Sequence, residues 1–528
     1  MGVYLNPGND GFEEIRSWNY VDKTGLIGVL NNRIDTMNKL VCISRPRRFG
    51  KSFAAKMLCA YYDHTCDSAE LFDDMEIARD ASYKEHLNQY NVIALDIAGL
   101  ISDQVTNKKS ISDMPHMISE AIRRELIEYC PEIKDDEELN KCFIKCVEQT
   151  GRRFIFIIDE WDAVIREAKN DNEAQKIYLN LLRSWFKNSS FTPRVVAGAY
   201  MTGILPIKKD GSQSAISDFK EFTILNPGPF TPYTGFTEEE VSALCKSSGM
   251  DFSRMKQWYD GYHFDKVGSV YNPYSVMEAI ATGECESHWQ KTSAAESLVS
   301  YINMDWEGLQ ADIVKLMTGE ELAVNVRSFM NDFESFHSKD DVITLLIHLG
   351  YLAYDKNEKT VRIPNEEVRL EFRDILKNPK RTKLAELVSR SEKLLEDTLA
   401  GNEKEVASAI EKVRETNYAP QYYNNEQALR YAVKFAYIVC VDRFLKIEEL
   451  PSGKGMADIV FVPNKNTAYP AMIIELKWNK TADQATEQID AKKYASVLEG
   501  YAGEIVKVGI NYDADSKIHD CKIAFLNR

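Results

Sequence analysis

Three groups of residues in this chain have types and spacings that can do chemistry. The first is Ser44-Arg45-Pro46-Arg47-Arg48-Phe49-Gly50-Lys51-Ser52, set between the apolar run Leu40 to Ile43 and a helical pattern from Phe53 to Tyr62. A strand, a tight loop and a helix N-terminus aim backbone N–H groups and the positive end of a helix dipole at one point, which suits a phosphate. Lys51 adds a mobile cation and Ser52 a hydroxyl able to ligate Mg²⁺. The usual phosphate-binding loop opens on a Gly, and Arg45 stands in its place here. A basic turn capping a helix would carry the same residues, and the strand–loop–helix order favours phosphate.

The second group is Asp159-Glu160, at the end of the apolar run Phe154 to Ile158. A strand apolar on both faces belongs inside a parallel sheet, and ligands bind at the C-terminal edge of such sheets. Asp159 there can hold Mg²⁺, commonly through water, and Glu160 can take a proton from an attacking water. Thr202 ends another apolar run, Arg194 to Tyr200 followed by Met201, and could touch a γ-phosphate or orient the water.

The third group lies near the C-terminus. Asp458 opens one strand signal. Glu475 and Lys477, two apart on the next, share a face. Two carboxylates and a Lys converging there could hold a hard divalent cation, Mg²⁺ or Mn²⁺, and cut a phosphodiester. Glu426 lies on the first turn of a preceding helix. Gln488 and Tyr494 follow on a later one and would orient the cluster or the phosphate backbone. A salt bridge on a sheet face is the alternative for Glu475 and Lys477 alone, and the acid on the preceding strand favours metal.

The elements that must position these groups follow from periodicity. Strands at 40–43, 91–97, 153–158, 194–200 and 221–225 alternate with helices, which predicts an α/β layer with a parallel sheet. Thr237 and Glu240 form a capping-box signal opening a helix. The aromatic stretches Trp258 to Phe264 and Tyr271 to Tyr274 read as the core of a small helical lid. A helix from Asp340 that ends at Gly350 and a strand at 359–363 suggest a winged-helix unit, and a domain connection is expected around 400–420. The last hundred residues read as a helix, three strands, a helix and further strands.

Composition sets outer limits. At 528 residues more than one core is expected. The net charge of −16 excludes nucleic-acid binding through the overall field, leaving only a local basic patch for such contact. The ten Cys show no disulfide or zinc spacing, so Cys142 and Cys146 are expected as buried thiols. No membrane partner and a reducing cytoplasm are expected.

As an ensemble the chain resembles a bacterial family that joins an AAA-like ATPase domain to a C-terminal domain of the PD-(D/E)XK nuclease superfamily. The resemblance rests on Asp22-Lys23-Thr24, Arg45 to Ser52, Ile158-Asp159-Glu160, Thr202-Gly203, Trp258-Tyr259-Asp260-Gly261-Tyr262, Tyr271-Asn272-Pro273, Pro364 to Val368, Gly455 to Asp458, and Glu475-Leu476-Lys477. It implies an ATPase core over 1–235, a helical lid over 236–300, a helical or winged-helix-like middle region over 301–415 and a restriction-endonuclease-like domain over 416–528. Pro46, Arg47, Arg48, Phe49, Gly50, Lys51, Ser52, Asp159 and Thr202 would bind ATP and its Mg²⁺. Glu160 would be the catalytic base of ATP hydrolysis. Asp458, Glu475 and Lys477 would form the nuclease core, with Glu426 as a further metal residue and Gln488 in support. The expected partner is nucleic acid, DNA ahead of RNA, in defence or DNA processing, and a homo-oligomer is left open. The other reading is a non-cleaving, STAND-like ATP switch whose C-terminal domain binds nucleic acid or a protein.

Overall fold

The computed structural model describes residues 2–526 except 169–170, 208–215, 265–266, 290–308, 328, 330–337, 377–381, 418–422, 441–443, 453–454, 464–468 and 492–502. The chain forms two compact units, Met1–Gln290 with Ala323–Val368, and Lys291–Leu322 with Arg369–Arg528.

The first unit is built on a parallel sheet of β1 (Leu40–Ser44), β2 (Asn91–Asp96), β3 (Phe154–Asp159), β4 (Val196–Gly203) and β5 (Lys220–Phe222), in the order β2-β3-β4-β1-β5. Every residue of β1, β3 and β4 is buried. The two faces of each strand enter different cores, as a side-chain period of two requires. Phe154, Phe156 and Ile158 join Leu40, Cys42 and Trp185 on one side. Ile155 and Ile157 join Val41, Ile43 and Leu58 on the other. Helices cover both faces, so apolar alternation is absent from the sequence of these strands. Cys142 and Cys146 are buried in the first core. The strand order places β4 between the loop-bearing β1 and the acidic end of β3.

The capping box is formed at the helix Glu238–Ser248. Thr237 Oγ1 accepts from the Glu240 N–H at 3.3 Å, and Glu240 Oε2 accepts from the Thr237 N–H at 2.8 Å. Glu240 also pairs with Lys23 Nζ at 2.6 Å, and Lys23 donates to Pro232 O at 2.7 Å. The Asp22-Lys23-Thr24 stretch therefore ties the chain's beginning to the helix after the parallel sheet. Met255, Tyr259 and Tyr271 are packed with Val241 and Val276, which makes the aromatic stretches core.

Ala323–Val368 groups with the parallel sheet, across the expected division between a lid at 236–300 and a middle region at 301–415. The physical reason lies in close backbone contacts. Gly261 has φ +131, and a Cβ there would meet Pro364 O at 2.1 Å. Arg362 Nη2 donates to Gly261 O at 3.0 Å, and Asn365 Nδ2 to Asp260 O at 2.8 Å. The aromatic stretch and the Pro364-Asn365 stretch are two halves of one joint. Between them come the helix Lys339–Leu349, ended by left-handed Gly350, and an antiparallel hairpin of Ala353–Asp355 and Thr360–Arg362.

The second unit holds a mixed sheet of β6 (Phe444–Ser452), β7 (Gly455–Pro463), β8 (Ala471–Trp478), β9 (Ile505–Asp513) and β10 (Ile518–Leu526), in that order. Only β8 and β9 run parallel. The stretch expected as a connection around 400–420 is largely structured. Helices Thr382–Leu399 and Glu403–Asn417, broken at Gly401 (φ +77), supply Leu394, Leu395, Val406 and Ile410 to the same core as Ile459, Ile474 and Val508. Their apolar positions recur at helical spacing inside a highly charged sequence, which hides a packed face.

Candidate nucleotide-binding and nuclease sites

At the end of β1 the chain turns through Arg48 (φ +69) and Gly50 (φ +80) into the helix Lys51–Tyr62. Gly50 can take this conformation without a Cβ penalty. Arg45, in the place of the usual Gly, is buried and acts as a strut. Its Nε donates to Thr234 Oγ1 at 3.0 Å, and its Nη1 to Ser44 O at 2.9 Å and Phe222 O at 3.0 Å. Burial lowers its pKa to about 10. Lys51 folds back on the loop, donating to Arg45 O at 3.1 Å and Pro46 O at 2.8 Å. Burial pushes its ammonium down, against the pull of Glu160 and Asp159.

The remaining loop side chains are placed as follows. Pro46 is buried against Gly350, where a Cβ would come within 2.8 Å of it. Phe49 is buried and meets Tyr262 edge-on at 5.4 Å. Arg48 lies over the Tyr274 ring at 4.4 Å and donates to His288 O. Phe49 can thus offer a nucleotide only its backbone, and Pro46, which has no N–H, only a carbonyl that Lys51 already holds. Arg47 is half-buried and its charge bears on Glu160. Ser52 is exposed.

Across from the loop, β3 and β4 bring their tips together. Thr202 Oγ1 donates to Asp159 Oδ1 and accepts from the Glu160 N–H at 3.2 Å. Burial raises the Asp159 pKa, opposed by hydrogen bonds from Ser52 and Thr202. Ser52, Asp159 and Thr202 are therefore brought together. Glu160 sits at φ +51, an uncommon conformation for a residue with a Cβ. Its carboxylate accepts from Arg166 Nη2 at 2.6 Å. Burial works to raise its pKa, but Arg166 and then Lys51 outweigh it and hold the group below its ordinary value.

Sequence reasoning did not identify Asp162. This fully buried acid accepts from the Ile204 and Leu205 N–H groups at 3.1 and 2.9 Å and from Arg166 Nε at 3.2 Å. It fastens the end of β4 beside the end of β3. Only its position in Asp-Glu-Trp-Asp, three residues after Asp159, hinted at this. Arg166, one turn further along the helix Ala163–Glu167, is the partner that the same chain supplies to Glu160.

In the second unit, β7 and β8 pair with Ile459 opposite Ile474, which sets Asp458 and Glu475 at matching positions on neighbouring strands. Asp458, Glu475 and Lys477 are all buried. Asp458 Oδ2 accepts from the Leu476 N–H at 2.8 Å. Lys477 Nζ donates to Glu475 Oε1 at 3.1 Å and Leu476 O at 2.9 Å, and Gln488 Nε2 donates to the same Glu475 oxygen. Gln488 comes from the helix Ala482–Ala491, whose approach is permitted by Gly509: a Cβ there would lie 2.3 Å from Ala482 O. The structure thus joins Asp458, Glu475, Lys477 and Gln488. Glu426 opens the helix Glu426–Ala436 and is exposed. Tyr494 lies outside the described residues. Arg430, one turn beyond Glu426, pairs with Asp458 Oδ1, and nothing at the level of motif pointed to it.

Among the described residues no group of three or more His, Cys, Asp or Glu is arranged to hold a metal. Two buried carboxylates on adjacent strands still fit Mg²⁺, which keeps most of its waters and needs only one or two protein carboxylates. The oxygen donors Ser52 and Asp159 fit the same ion on the same grounds.

Comparison with known proteins agrees with this division. Residues 7–212 match the family model described as "Predicted AAA-ATPase". Residues 431–521 match the PD-(D/E)XK nuclease superfamily model. No curated protein matches the chain significantly. Among solved structures, the Aeropyrum pernix ORC2 protein in ADPNP-ADP complexes is 12% identical, covering 72% of this chain and 99% of its own, with a TM-score of 0.26. The A. pernix ORC1 protein in complex with DNA is 10% identical over 73% and 100%, with a TM-score of 0.27. PCH-2 of C. elegans is 12% identical over 66% and 75%, with a TM-score of 0.23.

Proposed function

On a chain that carries an AAA-ATPase-like domain and a PD-(D/E)XK-superfamily domain, we propose that ATP binding and hydrolysis are coupled to metal-dependent cleavage of nucleic-acid phosphodiesters, DNA ahead of RNA. The observation that carries the reading is a repeated one. Asp159 and Glu160 beside Lys51, at the sheet edge where β3 and the loop after β1 meet, and Asp458 and Glu475 beside Lys477, on two adjacent strands, are two acid–base clusters.

In the ATPase site the loop N–H groups and the start of the helix Lys51–Tyr62 receive the phosphates. Lys51 leaves the carbonyls of Arg45 and Pro46 for the β- and γ-phosphates. A Mg²⁺ held by Ser52 and Asp159 would supply charge neutralisation across those phosphates. Glu160 is kept ionised and takes the proton of the attacking water once its carboxylate turns from Arg166. Thr202, already on Asp159, holds that carboxylate in place.

In the nuclease site Asp458 and Glu475 would hold a Mg²⁺ or Mn²⁺ that lowers the pKa of a water and neutralises the scissile phosphate. Lys477 lies beside Glu475 and supplies positive charge where the pentavalent phosphorus builds negative charge. Gln488 fixes which Glu475 oxygen faces inward. The helix Lys339–Leu349 with its hairpin acts as a winged-helix-like element, and the cytoplasm is the working compartment. Among the described residues, no helix is long and apolar enough to cross a membrane.

The test incubates the full chain with ATP, Mg²⁺ or Mn²⁺ and DNA or RNA, beside an Asp458→Ala variant. Cleavage by the parent and none by the variant is expected. Equal cleavage by both, or none by either on all substrates, would leave the chain as an ATP switch with a non-cleaving binding domain.

A further inference from the structure

Among the described ion pairs, the charges of the nuclease cluster are already matched. Asp458 and Glu475 bring two negative charges, and Arg430 and Lys477, each ion-paired to one of them, bring two positive ones. All four side chains are largely withdrawn from solvent, with exposures of 11%, 2%, 14% and 8% in that order. A divalent cation added to this set would create a buried excess of positive charge, which is costly. The two cations are not equivalent, however. Lys477 is held on the same strand as Glu475 and is anchored to Leu476 O as well. Arg430 comes from a different element, the helix Glu426–Ala436, and sits on Oδ1 of Asp458 while Oδ2 is committed to the Leu476 N–H. Of the two Asp458 oxygens, the guanidinium therefore covers the one that no backbone N–H holds.

We propose that Arg430 guards the metal site and exchanges Asp458 for a substrate phosphate, so that nucleic acid and metal load together. This rests on the nuclease reading of the Asp458–Glu475 cluster. A guanidinium matches the paired oxygens of a phosphodiester as well as those of a carboxylate. When a phosphate arrives, Arg430 can follow it without losing an anionic partner. Asp458 Oδ1 is then free to ligate, and the incoming negative charge offsets part of the metal's. Without nucleic acid, metal and Arg430 compete for one oxygen. Arg430 is thus a positioning residue that acts through Asp458.

Calorimetric titration of the full, nucleotide-free chain with Mn²⁺ tests this, with and without a phosphorothioate oligonucleotide that resists cleavage. An Asp458→Asn variant identifies the binding that belongs to this site. For the parent, the oligonucleotide should tighten Mn²⁺ binding by about tenfold or more, the reciprocal of metal tightening the oligonucleotide. Arg430→Gln should bind Mn²⁺ alone about tenfold more tightly than the parent, since the competing charge is gone, and lose most of the coupling. Arg430→Lys keeps the charge but not the fork, so it should stay weak for Mn²⁺ alone and show reduced coupling; it also serves if the Gln variant folds poorly. Equal Mn²⁺ affinity in parent and Arg430→Gln, both sensitive to Asp458→Asn, would overturn the guard while leaving the nuclease site intact. No Mn²⁺ binding sensitive to Asp458→Asn in any variant would remove the nuclease reading and the inference with it.

Discussion

Lowering the pH from 7 to 5 titrates His348 in the unfolded chain but not in the folded one. The residue lies on the helix Lys339–Leu349, fully buried, with Phe329 stacked 5.6 Å from its ring and Nδ1 without a hydrogen-bond partner. Burial first, and then the nearby Arg45 guanidinium, press its pKa down to about 3 from an ordinary 6.5. The folded pKa is below the unfolded one, so the unfolded chain binds the proton first. The stability due to the neutral imidazole is fully present above pH 6.5 and is lost as the pH falls towards 3. The slope approaches about 1.4 kcal/mol per pH unit, and the loss between pH 7 and pH 5 comes to about 2 kcal/mol. Urea unfolding followed by tryptophan fluorescence measures it, for the parent and for His348→Leu, which cannot titrate. The parent should lose about 2 kcal/mol more than the variant over that interval. Equal losses would show that the imidazole reaches water or a hidden acceptor, and the burial argument would fail.

Other outcomes follow from the sites. Lys51→Ala should abolish tight ATP binding by calorimetry; unchanged affinity would count against the loop as a phosphate site. Glu160→Gln should keep ATP binding and slow turnover by about a hundredfold or more, and unaltered turnover in a phosphate-release assay would remove its role as base. Arg45→Met keeps volume but abandons Thr234 Oγ1, Ser44 O and Phe222 O. It should cost about 3 kcal/mol of stability in denaturant unfolding, and an unchanged midpoint would mean that Arg45 is not a strut.

Much of this was legible in the chain because continuous apolar strands and acids at their ends are local patterns. Phe154 to Asp159 predicts its own burial and its own edge, and the structure agrees to within a residue. The same holds for the capping box at Thr237. What escaped were partners set by tertiary approach. Arg430 looks like any charged residue on an amphipathic helix until β7 brings Asp458 to it. Arg166 likewise looks like one more surface charge in the sequence, and only its helix brings it to Glu160. The packed faces of the 382–399 and 403–417 helices were obscured by their charge, and their Leu and Val positions gain meaning only against the C-terminal sheet. The joint between Gly261 and Pro364 required two distant stretches to be read together.

The return of Ala323–Val368 to the first unit has a consequence for how this protein can be taken apart. The polypeptide leaves that unit after Gln290 and re-enters it at Ala323, so no single cut separates the two bodies. A fragment truncated near residue 300 would retain the whole parallel sheet and the loop at 45–50. It would nonetheless lose Gly350 from beside Pro46, the Pro364 backbone from beside Gly261, and the helix bearing His348. During synthesis the same dependence imposes an order. The loop at 45–50 cannot be fully seated until Gly350 has left the ribosome, after the 291–322 excursion has already been made.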